Sequence, residues 1–229
     1  ARTANARSAT DSLHSRREPT LARMETFDAV IVGAGAAGLF CAGVAGQLGL
    51  RILVIDHSAK VAEKIRISGG GRCNFTNRDT TPANFISRNP HFCRSALARY
   101  TPQDFVDLLQ RHGVAFHEKH KGQLFCDRAA QDIIDVLLAE CAAGGVTRWQ
   151  PCTVQSVSCN DQTGYSLQTE RGMVQARALV IATGGLSIPA VGASDWGYRI
   201  AQQFGLPLVP PRPALVPLTF QSAAWAPFA

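Results

Sequence analysis

Residues 28–56 read DAVIVGAGAAGLFCAGVAGQLGLRILVID, and this stretch decides the fold. A short β-branched run at 29–32 is typical of a buried parallel strand, and a second such run ends at Asp56. Between the two runs lie the pattern G-x-G-x-x-G and a small-residue stretch of helical length. The order strand, glycine turn, helix, strand predicts a β-α-β unit that binds a dinucleotide. A plain β-α-β unit without a ligand is the alternative.

Each glycine of this motif has its own physical reason. Gly33 permits a tight turn, Gly35 lets the backbone approach a pyrophosphate, and Gly38 lets the helix pack closely on the strand. The N-terminus of the helix adds unpaired N–H groups and a positive dipole end, which attract phosphate. A carboxylate at Asp56 can accept hydrogen bonds from ribose hydroxyls, which favours FAD or NAD over NADP.

The composition is that of a globular chain, because 229 residues of which 46% are hydrophobic can bury one substantial core. No apolar stretch of the sequence reaches the ~18–20 residues that span a bilayer, so we expect a soluble, cytoplasmic protein without a membrane partner. Seven cysteines without a C-x-x-C pair favour reduced thiols over a disulfide framework or a zinc site.

The net charge of +6 is unevenly distributed along the chain. Residues 60–99 hold eight Lys and Arg side chains against two acidic ones, so this segment alone carries +6. Such a segment is suited to cofactor phosphates, to an anionic substrate or to RNA. A solvated basic surface is the alternative.

The rest of the pattern divides the chain into three parts. Residues 1–23 are polar and aperiodic and predict a disordered tail, residues 24–205 predict the dinucleotide-binding domain, and the proline-rich residues 206–229 predict the start of a second domain. Within the domain the periodicity predicts helices at 91–100, 102–112, 129–143 and 195–204, strands at 114–117 and 179–182, and a meander at 153–158, 164–169 and 173–176. An antiparallel meander inserted there favours an FAD-binding, Rossmann-like α/β domain of the glutathione-reductase type over a plain nicotinamide dehydrogenase.

A second glycine-rich loop, SGGGRCNFTN at 68–77, indicates another ligand contact. Successive glycines are entropically costly, so they mark positive φ angles or a backbone pressed against a ligand. Their N–H groups can form an anion-binding concavity, to which Arg72 adds a forked donor. A flexible surface loop is the alternative, and Cys73 is interpreted as a small packed thiol rather than a group that approaches a flavin.

Four sequence blocks resemble, in order, those of the BaiN/RdsA-like flavoproteins, which are FAD-dependent oxidoreductases also called aminoacetone-oxidase-like. The blocks are VIVGAGAAGL (30–39), EKIRISGGGRCNFTN (63–77), ATGGLS (182–187) and PALVPLT (213–219). The second block is the most diagnostic, whereas the first is common to all such FAD proteins. The loop at 186–198 departs from the family pattern, and family members continue through a substrate domain, so the chain is interpreted as their N-terminal portion.

The resemblance implies an FAD bound across the first domain and NAD(P)H as the electron donor. It implies pyrophosphate contacts from Gly33, Gly35, Ala36, Ala37 and Gly38, a ribose contact from Asp56, flavin-side contacts from Gly69, Gly70, Gly71, Arg72 and Cys73, adenine contacts from Val154, and a closing turn at Thr183, Gly184 and Gly185. The implied reaction is reduction of a carbon–carbon double bond, in a small unsaturated ring compound or in uridine of rRNA. The alternatives are an NAD-dependent dehydrogenase or a non-catalytic fragment. The catalytic residues and the oligomeric state are left open.

Overall fold

The computed structural model describes residues 24–188 and 191–213, and the elements below belong to those ranges. The strands are β1 (Glu25–Val32), β2 (Ile52–Ile55), β3 (Asn74–Asn77), β4 (Phe116–Glu118), β5 (Gln123–Cys126), β6 (Thr147–Trp149), β7 (Val154–Asn160), β8 (Gly164–Thr169) and β9 (Gly172–Ile181). The helices are α1 (Ala36–Gln47), α2 (Glu63–Ile67), α3 (Arg94–Arg99), α4 (Pro102–Arg111), α5 (Gln131–Ala143) and α6 (Trp196–Gln203). The predicted tail at 1–23 and residues 214–229 of the predicted second domain lie outside the described residues, as does most of the fourth sequence block.

A six-stranded sheet, in the order β6-β2-β1-β9-β8-β7, forms the centre of the molecule. Strands β6, β2, β1 and β9 are parallel, and β9, β8 and β7 form an antiparallel meander. A smaller antiparallel sheet has the order β3-β5-β4. The predicted fold class, a Rossmann-like α/β domain with a three-stranded meander, is thereby confirmed. None of the helices in the described ranges is both long and apolar enough to cross a bilayer.

Strand β2 and residues 29–32 of β1 are continuously apolar because both faces of the sheet are covered there. Successive side chains of a strand point to opposite faces. On one face Ile31 and Val54 belong to a buried core that includes residues of α1 and α5. On the other face Val30 and Leu53 pack in a second core with residues of the meander and α6. The continuous apolar runs of β1 and β2 therefore supply two cores at once.

One strand of the structure was predicted as two separate strands, and this prediction is wrong. The strands predicted at 173–176 and 179–182 are a single strand, β9, which pairs with β8 on one side and with β1 on the other. The ladder with β1 continues from Ala176 to Ala178 across the exposed Arg177. A charged residue at this point interrupts the apolar pattern without interrupting the strand. The third strand of the meander is thus also a central strand of the parallel sheet.

The other differences concern boundaries and short strands. The helices predicted at 102–112, 129–143 and 195–204 are found as α4, α5 and α6. The helix predicted from residue 91 begins only at Arg94, and the strand predicted at 114–117 is Phe116–Glu118. Strands β3, β5 and β6 were not predicted, because runs of three or four residues are too short for periodicity to identify.

Small residues on α1 allow it to pack closely against α5 and the turn that follows. A Cβ atom added at Gly46 would lie 2.5 Å from the carbonyl oxygen of Gly144, and one added at Gly43 would lie 3.1 Å from Cβ of Glu140. At the surface, Gln47 on α1 also contacts α5, because its Nε2 donates a hydrogen bond of 2.8 Å to the Glu140 carboxylate. This packing holds the N-terminus of α1 at the edge of the sheet.

We expect Gly46→Ala to lower the free energy of unfolding by about 1–3 kcal/mol, as overpacking does. Alanine is the better helix former, but the added methyl group would meet backbone atoms of Gly144, which cannot rotate away. Urea denaturation followed by circular dichroism measures the change. The control is Gly35→Ala, whose methyl group meets no protein atom within 4 Å and whose unfolding free energy should stay within about 0.5 kcal/mol of the parent. An equally stable Gly46→Ala protein would contradict the described packing.

Candidate dinucleotide-binding site

A groove of about 550 Å³ lies at the carboxyl ends of β1, β2 and β9. Open parallel sheets bind their ligands at this edge. Of the predicted site residues, the groove is lined by Gly33, Gly35, Ala36, Ala37, Asp56, Thr183 and Gly184. A smaller pocket of about 200 Å³ shares Gly33, Asp56 and Thr183 with the groove and adds Val154. The fold thus brings together residues that are up to about 150 positions apart in the chain.

The three glycines of the first motif differ in what a side chain would meet. A Cβ atom at Gly33 would overlap the carbonyl oxygen of Ala182, and one at Gly38 would overlap the carbonyl oxygen of Gly33. A Cβ atom at Gly35 would meet no atom within 4 Å, and its φ of −84° is open to any residue. Packing therefore requires Gly33 and Gly38 but not Gly35. The predicted approach of a ligand to the backbone at Gly35 stays a prediction, and the open space beside this residue leaves room for it.

The N-terminus of α1 provides a positive end at the groove. No acidic side chain lies in the first turn, and no side chain caps the helix. The first N–H groups of a helix have no acceptor within the helix, and with the helix dipole they attract an anion. Nearby, Oγ1 of Thr183 is buried and has no hydrogen-bond partner among the described residues. These groups fit a bound diphosphate that supplies the missing acceptors.

Asp56 connects the end of β2 to the glycine turn. Its Oδ2 accepts a hydrogen bond of 2.6 Å from the N–H of Ala34, and its Oδ1 accepts one of 2.8 Å from the N–H of Ser58. A carboxylate offers about four acceptor sites, so two remain for a ribose. The side chain lines both the groove and the smaller pocket. Asp56 therefore shapes the turn, a role that the sequence analysis did not assign, while the predicted ribose contact stays a prediction.

Several residues of the second glycine loop line a second cavity. This second cavity, of about 550 Å³, shares Ala36, Ala37 and Lys64 with the groove, and the loop reaches it through Ser68, Cys73 and Asn74. The φ angles of Gly69, Gly70 and Gly71 are 57°, 66° and 85°, so the first of the two reasons given for successive glycines, positive φ, applies here. Residues 69–72 lie away from the lining of both cavities, so their predicted flavin-side contacts stay a prediction.

The thiol of Cys73 is packed in the protein interior. The residue is 5% exposed, and burial raises the pKa of its thiol. Cys126 is completely buried, and burial, with Cys73 as the next cause, raises the pKa of Cys126 to about 12. Both thiols are therefore protonated at neutral pH and are poor nucleophiles. All seven cysteines are free in the described structure.

Sequence reasoning missed Lys64, which lies where the groove and the second cavity meet. Its Nζ donates hydrogen bonds to Oγ of Ser187 at 3.1 Å and to the carbonyl oxygen of Gly185 at 3.4 Å. Lys64 therefore ties α2 to the turn after β9. A lysine in a basic segment carries no sequence signal that separates this role from that of a surface charge. Tyr198 and Gly192 also line the groove, and both lie in the loop at 186–198 that departs from the family pattern.

The fold and the groove define a Rossmann-like domain of the FAD-binding flavoprotein class. The chain belongs to the HI0933-like protein Rossmann domain family, whose model matches residues 27–216. The resemblance inferred from the four sequence blocks is confirmed by this match and by the relatives.

Two curated relatives and one solved structure illustrate the similarity. The chain is 56% identical over 196 residues to the ribosomal RNA dihydrouridine synthase of Escherichia coli, covering 86% of this chain and 49% of that protein. It is 47% identical over 195 residues to the ribosomal RNA dihydrouridine synthase of Haemophilus influenzae, covering 84% and 49%. The chain thus spans about half the length of the curated relatives it matches. A glycine oxidase from Bacillus cereus shares the fold, with a TM-score of 0.53 at 14% identity over 78% of this chain and 59% of that one.

We expect Gly35→Ala to weaken FAD binding by about tenfold or more, which corresponds to about 1.4 kcal/mol. The methyl group would occupy the space through which a diphosphate approaches the backbone. Titration of FAD fluorescence with the parent and variant proteins measures the two dissociation constants. Because the variant keeps its fold, an FAD affinity equal to that of the parent would contradict the assignment of the groove.

We expect Cys159 to react with a thiol reagent in the folded protein at pH 8, and Cys73 and Cys126 to react only after unfolding. Cys159 is exposed, whereas Cys73 and Cys126 are buried and their pKa values are raised. Mass spectrometry of peptides labelled before and after addition of denaturant gives the order of reaction. Early labelling of Cys73 would contradict its assignment as a packed thiol.

Proposed function

We propose that the protein is an FAD-dependent oxidoreductase that reduces uridine to dihydrouridine in rRNA, with hydride drawn from NAD(P)H. The observation that carries the cofactor assignment is the open space beside Gly35 at the uncapped N-terminus of α1. The reaction is supported by the activity named for the two relatives that are 56% and 47% identical. A cytoplasmic location, where uridine in rRNA is accessible to a modifying enzyme, is part of this proposal.

The cofactor would lie along the groove in an orientation set by the residues that contact each of its parts. In this proposal the diphosphate contacts the N-terminus of α1, because orphan N–H groups and the helix dipole favour an anion there. The ribose contacts Asp56, and the adenine enters the smaller pocket beside Val154, since that pocket adjoins both the carboxylate and the glycine turn. The turn at Thr183, Gly184 and Gly185 closes over the diphosphate, and the loop of Gly69, Gly70, Gly71, Arg72 and Cys73 lies on the flavin side.

Reduction of uridine adds one hydride and one proton across the C5–C6 double bond of the base. FAD supplies the hydride chemistry when it is bound, and the protein has to bind, orient and shield the reactants. The second cavity offers a place for the substrate ring next to the groove, with Phe40 and Tyr100 packed edge to face at 4.9 Å on its wall. Lys64 lies between the two sites and holds the turn at Gly185 in place. A region that corresponds to the other half of the relatives' length would complete the enclosure of the substrate and the cofactor.

The test uses the full-length protein. We expect the purified protein to be yellow, to be bleached by NADH or NADPH in the absence of oxygen, and to restore dihydrouridine to rRNA isolated from cells that lack the gene. Nuclease digestion and mass spectrometry detect the two added hydrogens. The Gly35→Ala form of the same protein is the matched control, and it should retain less FAD and form less product than the parent.

Other outcomes decide between the alternatives. A colourless protein that quenches the fluorescence of NADH would identify an NAD-dependent dehydrogenase instead. A yellow protein that reduces a small unsaturated ring compound but leaves rRNA unchanged would retain the flavin assignment and overturn the RNA substrate.

A further inference from the structure

A stretch of the basic region, residues 80–103, contains no acidic side chain but includes Arg88, Arg94 and Arg99. We call it the acid-free segment. Residues 83–92 form ten consecutive exposed positions, and all three arginines are exposed. The ion pairs found in the described part of the chain use other basic side chains, such as Arg66 and Arg78. The segment therefore presents uncompensated positive charge to solvent.

Large apolar side chains are interleaved with these charges. Phe85 is 49% exposed and Phe92 is 82% exposed, while Ile86 is fully exposed. Clustered apolar exposure of this kind marks an interaction site. Aromatic side chains alternating with arginines are the combination that binds single-stranded nucleic acid, because bases stack on the rings while phosphates pair with the cations. An acidic protein partner would contact only the arginines of the segment, and a purely apolar partner would contact only its exposed apolar side chains.

The acid-free segment also borders the second cavity. Thr80, Leu97, Tyr100 and Pro102 belong to the cavity lining, which includes Ala36 and Ala37 of the nucleotide motif. A strand bound along the outer face of the segment would therefore pass the entrance to the cavity. An enzyme that acts on a base has to take that base out of its stack, which costs least in single-stranded RNA.

We propose that the acid-free segment binds single-stranded RNA, with Phe85 and Phe92 stacking on bases and Arg88, Arg94 and Arg99 contacting phosphates. This inference rests on the proposed function, because it states how an RNA substrate is held while one base enters the second cavity. RNA is favoured over the remainder of the chain as the occupant because the segment combines exposed rings with three cations and no anion.

The test measures binding of a fluorescein-labelled oligouridine of about 12 nucleotides, within the usual site size for single strands, to the full-length protein over a series of salt concentrations. We expect Arg88→Gln/Arg94→Gln to bind about 10- to 30-fold more weakly at ~0.1 M salt and to lower the salt slope by about 1.4, for two lost phosphate contacts. We expect Phe85→Ala/Phe92→Ala to bind about tenfold or more weakly with an unchanged slope, since stacking releases no counterions.

The matched control removes the same charge elsewhere. Arg148 on β6 and Arg177 on β9 are exposed and lie outside the acid-free segment. We expect Arg148→Gln/Arg177→Gln to bind oligouridine as the parent does. Equal weakening by both arginine pairs would show nonspecific attraction and would overturn the proposal.

The remaining outcomes separate this inference from the proposed function. If the segment variants bind oligouridine with parental affinity, the inference is overturned, even where the parent forms dihydrouridine. If those variants instead melt at a lower temperature than the parent, the segment packs against the rest of the chain and the inference is overturned. If they lose RNA affinity with the predicted slopes but the parent leaves rRNA unreduced, the binding surface stands and the proposed reaction fails.

Discussion

The close approach of α1 to the ends of β1 and β9 is the constraint on which the rest of the structure depends. Gly33 and Gly38 leave no room for a side chain between the helix, the turn and the backbone of Ala182. On the far side, Gly43 and Gly46 let the same helix pack against α5 and Gly144. A helix held this tightly on both sides directs its N–H groups into the groove without further support. The position of this helix N-terminus is thus a consequence of packing.

Polar contacts then fix the loops around that helix end. The carboxylate of Asp56 accepts hydrogen bonds from the backbone N–H groups of Ala34 in the glycine turn and of Ser58, so it links the end of β2 to the turn. Lys64 does the same for the turn that follows β9, through Gly185 and Ser187. Both side chains face the groove while holding the protein backbone. Preorganisation of this kind lowers the cost of ordering the site when a cofactor binds.

Much of the fold follows from local patterns in the sequence. The β-α-β unit, the amphipathic helix α4 and the meander each have a periodicity or a turn signal that local physics explains. The failures have equally physical causes. Strand β9 was divided because Arg177 interrupts its apolar pattern, although the ladder with β1 continues past it. Strands β3, β5 and β6 are three or four residues long and exist because partner strands lie beside them.

The sequence by itself determined the nucleotide motif and the family resemblance. These features depend on residues that are neighbours in the chain, so their chemistry can be read from spacing. Only the tertiary structure decided that Gly35 alone among the motif glycines has no packing role, and that Lys64 joins the groove to the second cavity. Such assignments depend on what lies within a few ångströms in space, and contacts between distant segments leave no local pattern.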